Sequence, residues 1–563
     1  MHQPQYQQRP NGEYQLPWTY LHAIKDYTDM AAHLEADPRA RAVVNFAPTL
    51  LEQLDDYRKQ VAAFLANGQA IGDPLLAALA EPVLPVDSGA SLALIGNCLR
   101  AHETRLIQRF APFARLADIA RSFLAHPDTA FYLSEQFLVD LLMWYHLAWL
   151  GEFVRRDDAR IKYLIKKGSG FSLHDRRQLL IVIGELLNGV IGRYRRLAET
   201  GQIELSVSPY AHPIVPLLLD LESAKEAMPE VSLPNLSHYP GGEERVRWHL
   251  KAAIETFEHF FGFKPKGCWP SEGGISTASL SFYEQAGFHW VASGENVLRN
   301  TLALEDESDS AAVEHCRHLR YYVKGSEIAC FFRDDGLSDL IGFTYSDWHA
   351  DDAIANFIGH LENIANNCQG VDDAVVSIIL DGENAWEHYP ENGYYFLEAL
   401  YRGLAEHPSL ELSTFTDCLN SSPSVTPSLS SAGAFTLQSL VAGSWVYGSF
   451  STWIGDADKN RAWDMLGDAK HCFDAVVSRK TLTELQQTIA EKQLGICEGS
   501  DWFWWFGDYN PAESVSDFEH LFRQQLTTLY QMLGEEPPEY LSHVFARGGG
   551  EPQQGGVMRR GSS

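Results

Sequence analysis

Short runs of β-forming residues recur along this chain with helical patterns between them, and that alternation restricts the fold more than any other feature. The runs lie at 43–46, 203–207, 267–269, 289–292, 328–332, 375–380 and 410–415. Between most of them apolar residues recur three and four apart, as in 243–260 and 353–367. Strand–helix–strand succession demands a parallel sheet, because parallel neighbours need a crossover connection. About seven such runs favour a closed barrel over an open sheet. From about 50 to 198 the strand signal fades, and 106–124, 135–154 and 176–197 carry helical spacing instead, so a helical insertion is expected there. The Ser/Pro-rich stretch 421–433 reads as a flexible connection, 434–545 as a helical domain, and 546–563 as a disordered tail.

With 563 residues the chain can build two or three cores. Its formal net charge of −30 argues against nucleic acid or an anionic membrane surface as partner, where phosphate neutralisation needs clustered cations, and fits a neutral substrate. Aromatics are abundant, with 14 Trp, 23 Tyr and 29 Phe. They suit the apolar faces of sugar rings, although any one of them serves a core equally well. Eight cysteines occur without a CxxC pair and read as reduced thiols. Neither a leader pattern nor an apolar run of transmembrane length is present, so a cytoplasmic protein is expected.

Two segments at the ends of expected strands place a carboxylate beside a tryptophan. One is Trp269-Pro270-Ser271-Glu272-Gly273-Gly274, the other Leu380-Asp381-Gly382-Glu383-Asn384-Ala385-Trp386. Glycosidic hydrolysis needs two carboxyls, and barrel enzymes draw them from the C-terminal ends of different strands. Mutual repulsion and burial against Trp269 and Trp386 should raise one of the two pKa values. Asp381 and Glu383 lie two apart and share a face of an extended chain, so the residues alone do not choose between them. Arg333 and Asp335, after the strand ending at Phe332, are candidates to hold a sugar hydroxyl or a catalytic carboxylate. Structural alternatives stand beside each reading: Glu272 as the cap of a following helix, His212 before Pro213 as the pin of a loop, and Arg333 with Asp335 as a plain ion pair.

Five segments in this order resemble glycoside hydrolase family 57, whose members act on α-glucans. They are His2-Gln3-Pro4, Ser208-Pro209-Tyr210-Ala211-His212-Pro213, Trp269 to Glu272, Leu380 to Asn384, and Glu498-Gly499-Ser500-Asp501-Trp502. Gly443-Ser444-Trp445, Thr452-Trp453-Ile454-Gly455 and Asn460-Arg461-Ala462-Trp463 resemble its amylopullulanase and α-amylase branch. The resemblance implies a (β/α)7 barrel over 1–420 and a helical domain over 434–545 that completes the active site. It implies a retaining mechanism with Glu272 as nucleophile and Asp381 as general acid/base. His2, His212, Asp501 and Trp502 would meet the sugar, and Trp269, Trp386 and Trp445 are further candidates for substrate contact. No metal and no cofactor is expected; the partner is an α-glucan polysaccharide or oligosaccharide. Hydrolysis, 4-α-glucanotransfer and branching use the same two carboxylates.

In the family an apolar strand precedes His-Gln-Pro, whereas His2 is here the second residue. The expectation is therefore a barrel with two exposed edges, a displaced His2, and low stability that an upstream apolar strand would rescue. Two other readings remain. A metal-dependent deacetylase on a similar barrel would want paired histidines four apart, and none of the 21 histidines has such a partner; the dense run 314–318 reads as exposed surface. A glucan-binding protein without turnover would keep the cleft and lose the chemistry.

Overall fold

The computed structural model describes residues 1–8, 12–84, 87–305, 317–368, 374–420 and 434–550. The connection expected at 421–433, most of the expected tail, and Glu314, His315 and Cys316 lie outside the described residues.

Seven strands form one sheet: β1 Ala42–Phe46, β2 Ile203–Val207, β3 Gly267–Cys268, β4 Trp290–Ser293, β5 Arg320–Val323, β6 Ala329–Phe332 and β7 Ala434–Leu437. Their order is β1-β2-β3-β4-β6-β5-β7. The first five in that order pair in parallel, with Val44 opposite Leu205 and Val291 opposite Cys330. β5 runs antiparallel to β6 and parallel to β7. β4 and β6 are buried along their whole length, the state of a parallel strand covered on both faces. The architecture is an α/β barrel of the (β/α)7 type with a helical insertion and a helical C-terminal region.

Every described regular element between β1 and β2 is helical. The longer helices there are α1 Pro48–Asn67, α2 Glu135–Trp149 and α3 Leu173–Glu199. α1 opens on Pro48, whose missing N–H costs nothing in a first turn. α3 opens on a capping box between Ser172 and Asp175. α4 Gly242–Phe261 covers the barrel after β2, and α5 Ala350–Asn367 and α6 Tyr394–Ala405 pack against each other after β6. The C-terminal region holds α7 Ala457–Ser478, α8 Glu484–Cys497, α9 Ser500–Trp505 and α10 Ala512–Leu533. One apolar core runs from the N-terminal segment into α10. Among the described residues no helix is long and apolar enough to cross a membrane.

Two expected strands differ. The run 410–415 makes no ladder; a short helix, Phe415–Asn420, begins at its end. Phe415 stacks on Phe331 at 4.4 Å and meets Trp290 edge-on at 4.6 Å, so the apolar spacing fills the barrel end rather than pairing with it. The run 375–380 is extended but only lightly paired. Ser377 bridges to Arg333, Asp334 N donates to Ser377 O at 2.8 Å, and Val375 N to His318 O at 2.8 Å. β5 and β7 were not legible as strands.

The free side of 375–380 faces the free side of β1 across a cavity of about 1420 Å³ lined by both, and by Phe357 and Leu361 of α5 and Leu397 and Leu404 of α6. Met1 spans one end of the opening. Its amino group donates to Asn45 O at 2.9 Å, and its carbonyl accepts from Ala47 N at 3.1 Å, a parallel register against β1. A Cβ at Gly382 would come within 2.7 Å of Met1 Cγ, so glycine is needed where the two segments meet. His2 is thereby held at the C-terminal mouth of the barrel.

Candidate active site

The mouth is built where β3 ends. After Cys268 the chain turns through Trp269 and Pro270 into a short helical turn, and Glu272 adopts φ 56°, ψ 26°. A non-glycine residue in this left-handed region costs on the order of 1–2 kcal/mol, so its neighbours must fix it. Trp445 N donates to Glu272 O at 3.1 Å, and Gly273 N to Pro270 O at 2.8 Å. Gly273 itself has φ 61°, and a Cβ there would press on Trp269 at 3.1 Å and Trp445 at 3.3 Å. The Trp445 indole then donates to Glu272 Oε2 at 3.1 Å and meets Trp269 edge-on at 5.2 Å. Glu272 is therefore a strained, aimed carboxyl and not a helix cap.

The Arg333 guanidinium lies 5.5 Å from the Trp445 ring. It pairs with Asp335 at 2.6 Å and Asp339 at 2.9 Å, and donates to Ile379 O at 2.9 Å. The pair is structural, and it ties the Trp445 wall to the segment that presents Asp381.

Asp381 lines the cavity and accepts from Asn384 Nδ2 at 2.9 Å. Glu383 is engaged elsewhere: its Oε1 accepts from His2 N at 3.2 Å and Gln3 Nε2 at 3.1 Å, anchoring the N-terminal segment. His2 Nε2 reaches Asp501 Oδ1 at 2.6 Å, and its ring lies 3.7 Å from that of His212. His212 has φ 62° and its Nδ1 sits 3.1 Å from Ser500 Oγ and 3.7 Å from Glu272 Oε1. Ser500 N closes the contact on His212 O at 2.9 Å.

The α8–α9 junction that carries Ser500 and Asp501 is locked from behind. Glu498 accepts from Arg245 Nε at 2.8 Å, His249 Nε2 at 2.7 Å and Tyr239 OH at 2.6 Å. Burial alone would raise this carboxyl; the Arg245 charge and the His249 bond outweigh it and hold the pKa at about 2.

The cavity's own acids show the opposite. Burial, then the charges of Asp381 and Asp501, lift Glu272 to about 8. Burial, then Glu383, lifts Asp501 to about 8. Burial also raises Asp381, opposed by the Asn384 bond, the N-terminal ammonium and Arg333. His2 is lowered to about 3 by burial and the ammonium, and His212 falls well below its ordinary value for the same reasons plus His2. At neutral pH the 2.6 Å contact between His2 and Asp501 is a neutral hydrogen bond, not an ion pair. Acidic groups thus crowd one cavity with little cationic compensation.

The structure brings Glu272, Asp381, His2, His212, Trp269, Trp386, Trp445 and Asp501 to this one cavity. Trp386 contributes an edge while packing on Tyr389 and Phe396. Trp502 corrects the expectation. Its indole donates to Ile496 O at 2.8 Å and its ring lies against Phe522, so it is core of the helical region; Trp504 and Trp505 line the cavity in its place. Within this short helix the indoles leave in different directions, which a linear motif does not reveal. Trp18, His22 and Trp149 also line the cavity and had no signal beyond their type. Arg245 and His249, four apart on α4, were a readable pair whose partner lay in the Glu498 segment.

The family model of glycosyl hydrolase family 57 matches residues 1–428. A curated 1,4-alpha-glucan branching enzyme of Thermococcus kodakarensis is 23% identical over 251 residues, 39% of this chain and 33% of the enzyme, so the match spans about a third of that relative's length. Among solved structures, a branching enzyme from Pyrococcus horikoshii superposes with TM-score 0.54 at 14% identity, covering 96% of each chain. The α-amylase AmyC from Thermotoga maritima does so with TM-score 0.54 at 12% identity, over 96% of this chain and 94% of that one. At such identities these likenesses concern the fold.

Proposed function

The chain belongs to glycosyl hydrolase family 57, and on that premise we propose that it acts on α-glucans by double displacement with retention at the anomeric carbon. The observation that carries this reading is the pairing of Glu272 and Asp381 in one cavity at the barrel mouth, where burial first and the Asp381 charge second raise the Glu272 pKa. Glu272 attacks the anomeric carbon as Asp381 gives its proton to the departing glycosidic oxygen. Asp381 then takes a proton from the incoming hydroxyl, which displaces Glu272. The left-handed turn fixes the attacking oxygen, Trp269 and Trp445 offer faces to the sugar, and His2, His212 and Asp501 offer hydrogen-bonding atoms to its hydroxyls. In the ligand-free protein Glu272 holds a proton at neutral pH, which must leave before attack.

A second reading differs only in the incoming hydroxyl: a sugar instead of water, giving transfer or branching. The branching enzymes among the relatives support it. Among the described residues no cysteine is joined in a disulfide.

The test is incubation with amylose and maltoheptaose, scoring new reducing ends and, after isoamylase treatment, new branch chains. Reducing ends alone indicate hydrolysis; branch chains indicate transfer. Glu272→Gln and Asp381→Asn should each cut turnover by several orders of magnitude with circular dichroism unchanged and glucan binding retained. Near-normal turnover in either variant, or no change in any α-glucan, sinks the proposal.

A further inference from the structure

His2, His212 and Asp501 form a set that the sugar chemistry alone does not require. Each offers one ligand atom, and the three atoms all lie within 4.8 Å of one another. Two imidazole nitrogens and one carboxylate oxygen are the donors of a zinc-type cation rather than of Mg²⁺ or Ca²⁺, which prefer oxygen throughout. Zinc bonds of about 2.0–2.2 Å would place tetrahedral ligands about 3.3 Å apart. Asp501 and His2 already stand closer, at 2.6 Å, and the set needs side-chain adjustment of about an ångström to close.

One further feature favours a bound ion. His212 is oriented from behind by Ser500 Oγ at its Nδ1, 3.1 Å away, the outer-shell bond that ligating histidines use to present the other nitrogen. All three side chains line the cavity that also holds Glu272.

We infer that His2, His212 and Asp501 bind a divalent transition-metal cation of the zinc class, and that this cation shuts the active site by occupying the atoms that receive the sugar. Cation binding stands on the geometry; the inhibitory consequence rests on the function proposed above.

Cobalt(II) is the probe for the first part. Added to the metal-stripped full chain, one equivalent should give the visible absorption of a tetrahedral site, displaced by zinc. The band should vanish in His212→Asn and in Asp501→Asn, both checked for folding by circular dichroism, and persist in His174→Asn on the surface. No band, or a band that survives both substitutions, overturns the site while leaving the glucan activity untouched. For the second part, zinc at ten times its Kd should raise the apparent KM for amylose about tenfold, reversed by EDTA. A cobalt band with unchanged KM under zinc overturns the inhibitory role.

Discussion

Glu272 and Glu498 are both buried glutamates, one at the barrel mouth and one at the root of the helical region, and their surroundings treat them in opposite ways. Glu498 receives Arg245, His249 and Tyr239 and is held at about 2. Glu272 receives one indole N–H, faces two other carboxyls, and is lifted to about 8. The same side chain serves as a clamp where its charge is matched and as a reactive group where it is left unmatched. Their contributions to stability carry opposite signs with pH. Glu498, with its folded pKa depressed, stabilises above pH 4.5, and that contribution is lost as pH falls toward 2. Glu272, with its folded pKa raised, is best tolerated below 4.5, and its penalty grows as pH rises through about 8.

Removing the clamp should have the largest effect. Glu498→Ala leaves Arg245 and His249 buried without their partner and should cost about 3–5 kcal/mol, read as a fall in Tm at pH 7. Glu498→Ala with Tm unchanged would break the contrast. Glu272→Gln should do the reverse: it removes an unmatched acid and should stabilise by about 2–4 kcal/mol at pH 9, with little change at pH 4. Equal Tm shifts at both pH values would mean that the carboxyl carries no folded-state penalty.

Half of this contrast was legible in the residues. Glu272 and the segment of Asp381 were readable as carboxylates beside tryptophans at the ends of expected strands, whereas His2, His212 and Asp501 entered only with the family resemblance, and Glu498 carried no signal of its own as a clamp. The choice between Asp381 and Glu383 was not legible, since it depends on Gln3 and the backbone of His2, more than 370 residues away in sequence. Trp502 misled because a helical turn decides which indole faces the cavity. The run 410–415 misled because apolar spacing reports burial, and a plug at a barrel end is buried as well as a strand is. β5 escaped notice because an antiparallel neighbour of a parallel sheet carries no crossover helix to announce it.

Smaller effects sharpen the same comparison. If Glu272 must be ionised to attack, kcat/KM should fall about tenfold per pH unit below an acidic limb near pH 8. Asp501→Asn removes a group that adds to the rise of Glu272 as it ionises and should move that limb down by a fraction of a unit. A limb that stays in place would mean that Asp501 does not set the Glu272 pKa. The smallest effect concerns the groove between β1 and 375–380. Five or six alternating β-branched residues joined ahead of Met1 should continue its register against β1 and raise stability by about 1 kcal/mol, the net of apolar burial and lost chain entropy. A Gly/Ser extension of equal length should give no gain; equal Tm values for the two would show that the groove does not take a strand.

The central claim is that Glu272 attacks and Asp381 handles the proton, although burial and neighbouring carboxylates raise the Glu272 pKa to about 8. Azide rescue with α-glucosyl fluoride tests this most directly, because the product's configuration reports which carboxyl is missing. Glu272→Ala should yield β-glucosyl azide, by a single inverting displacement through the space that the nucleophile leaves. Asp381→Ala should yield α-glucosyl azide, by capture of the intact glucosyl–Glu272 intermediate. The opposite pairing of variants and anomers would contradict the assignment.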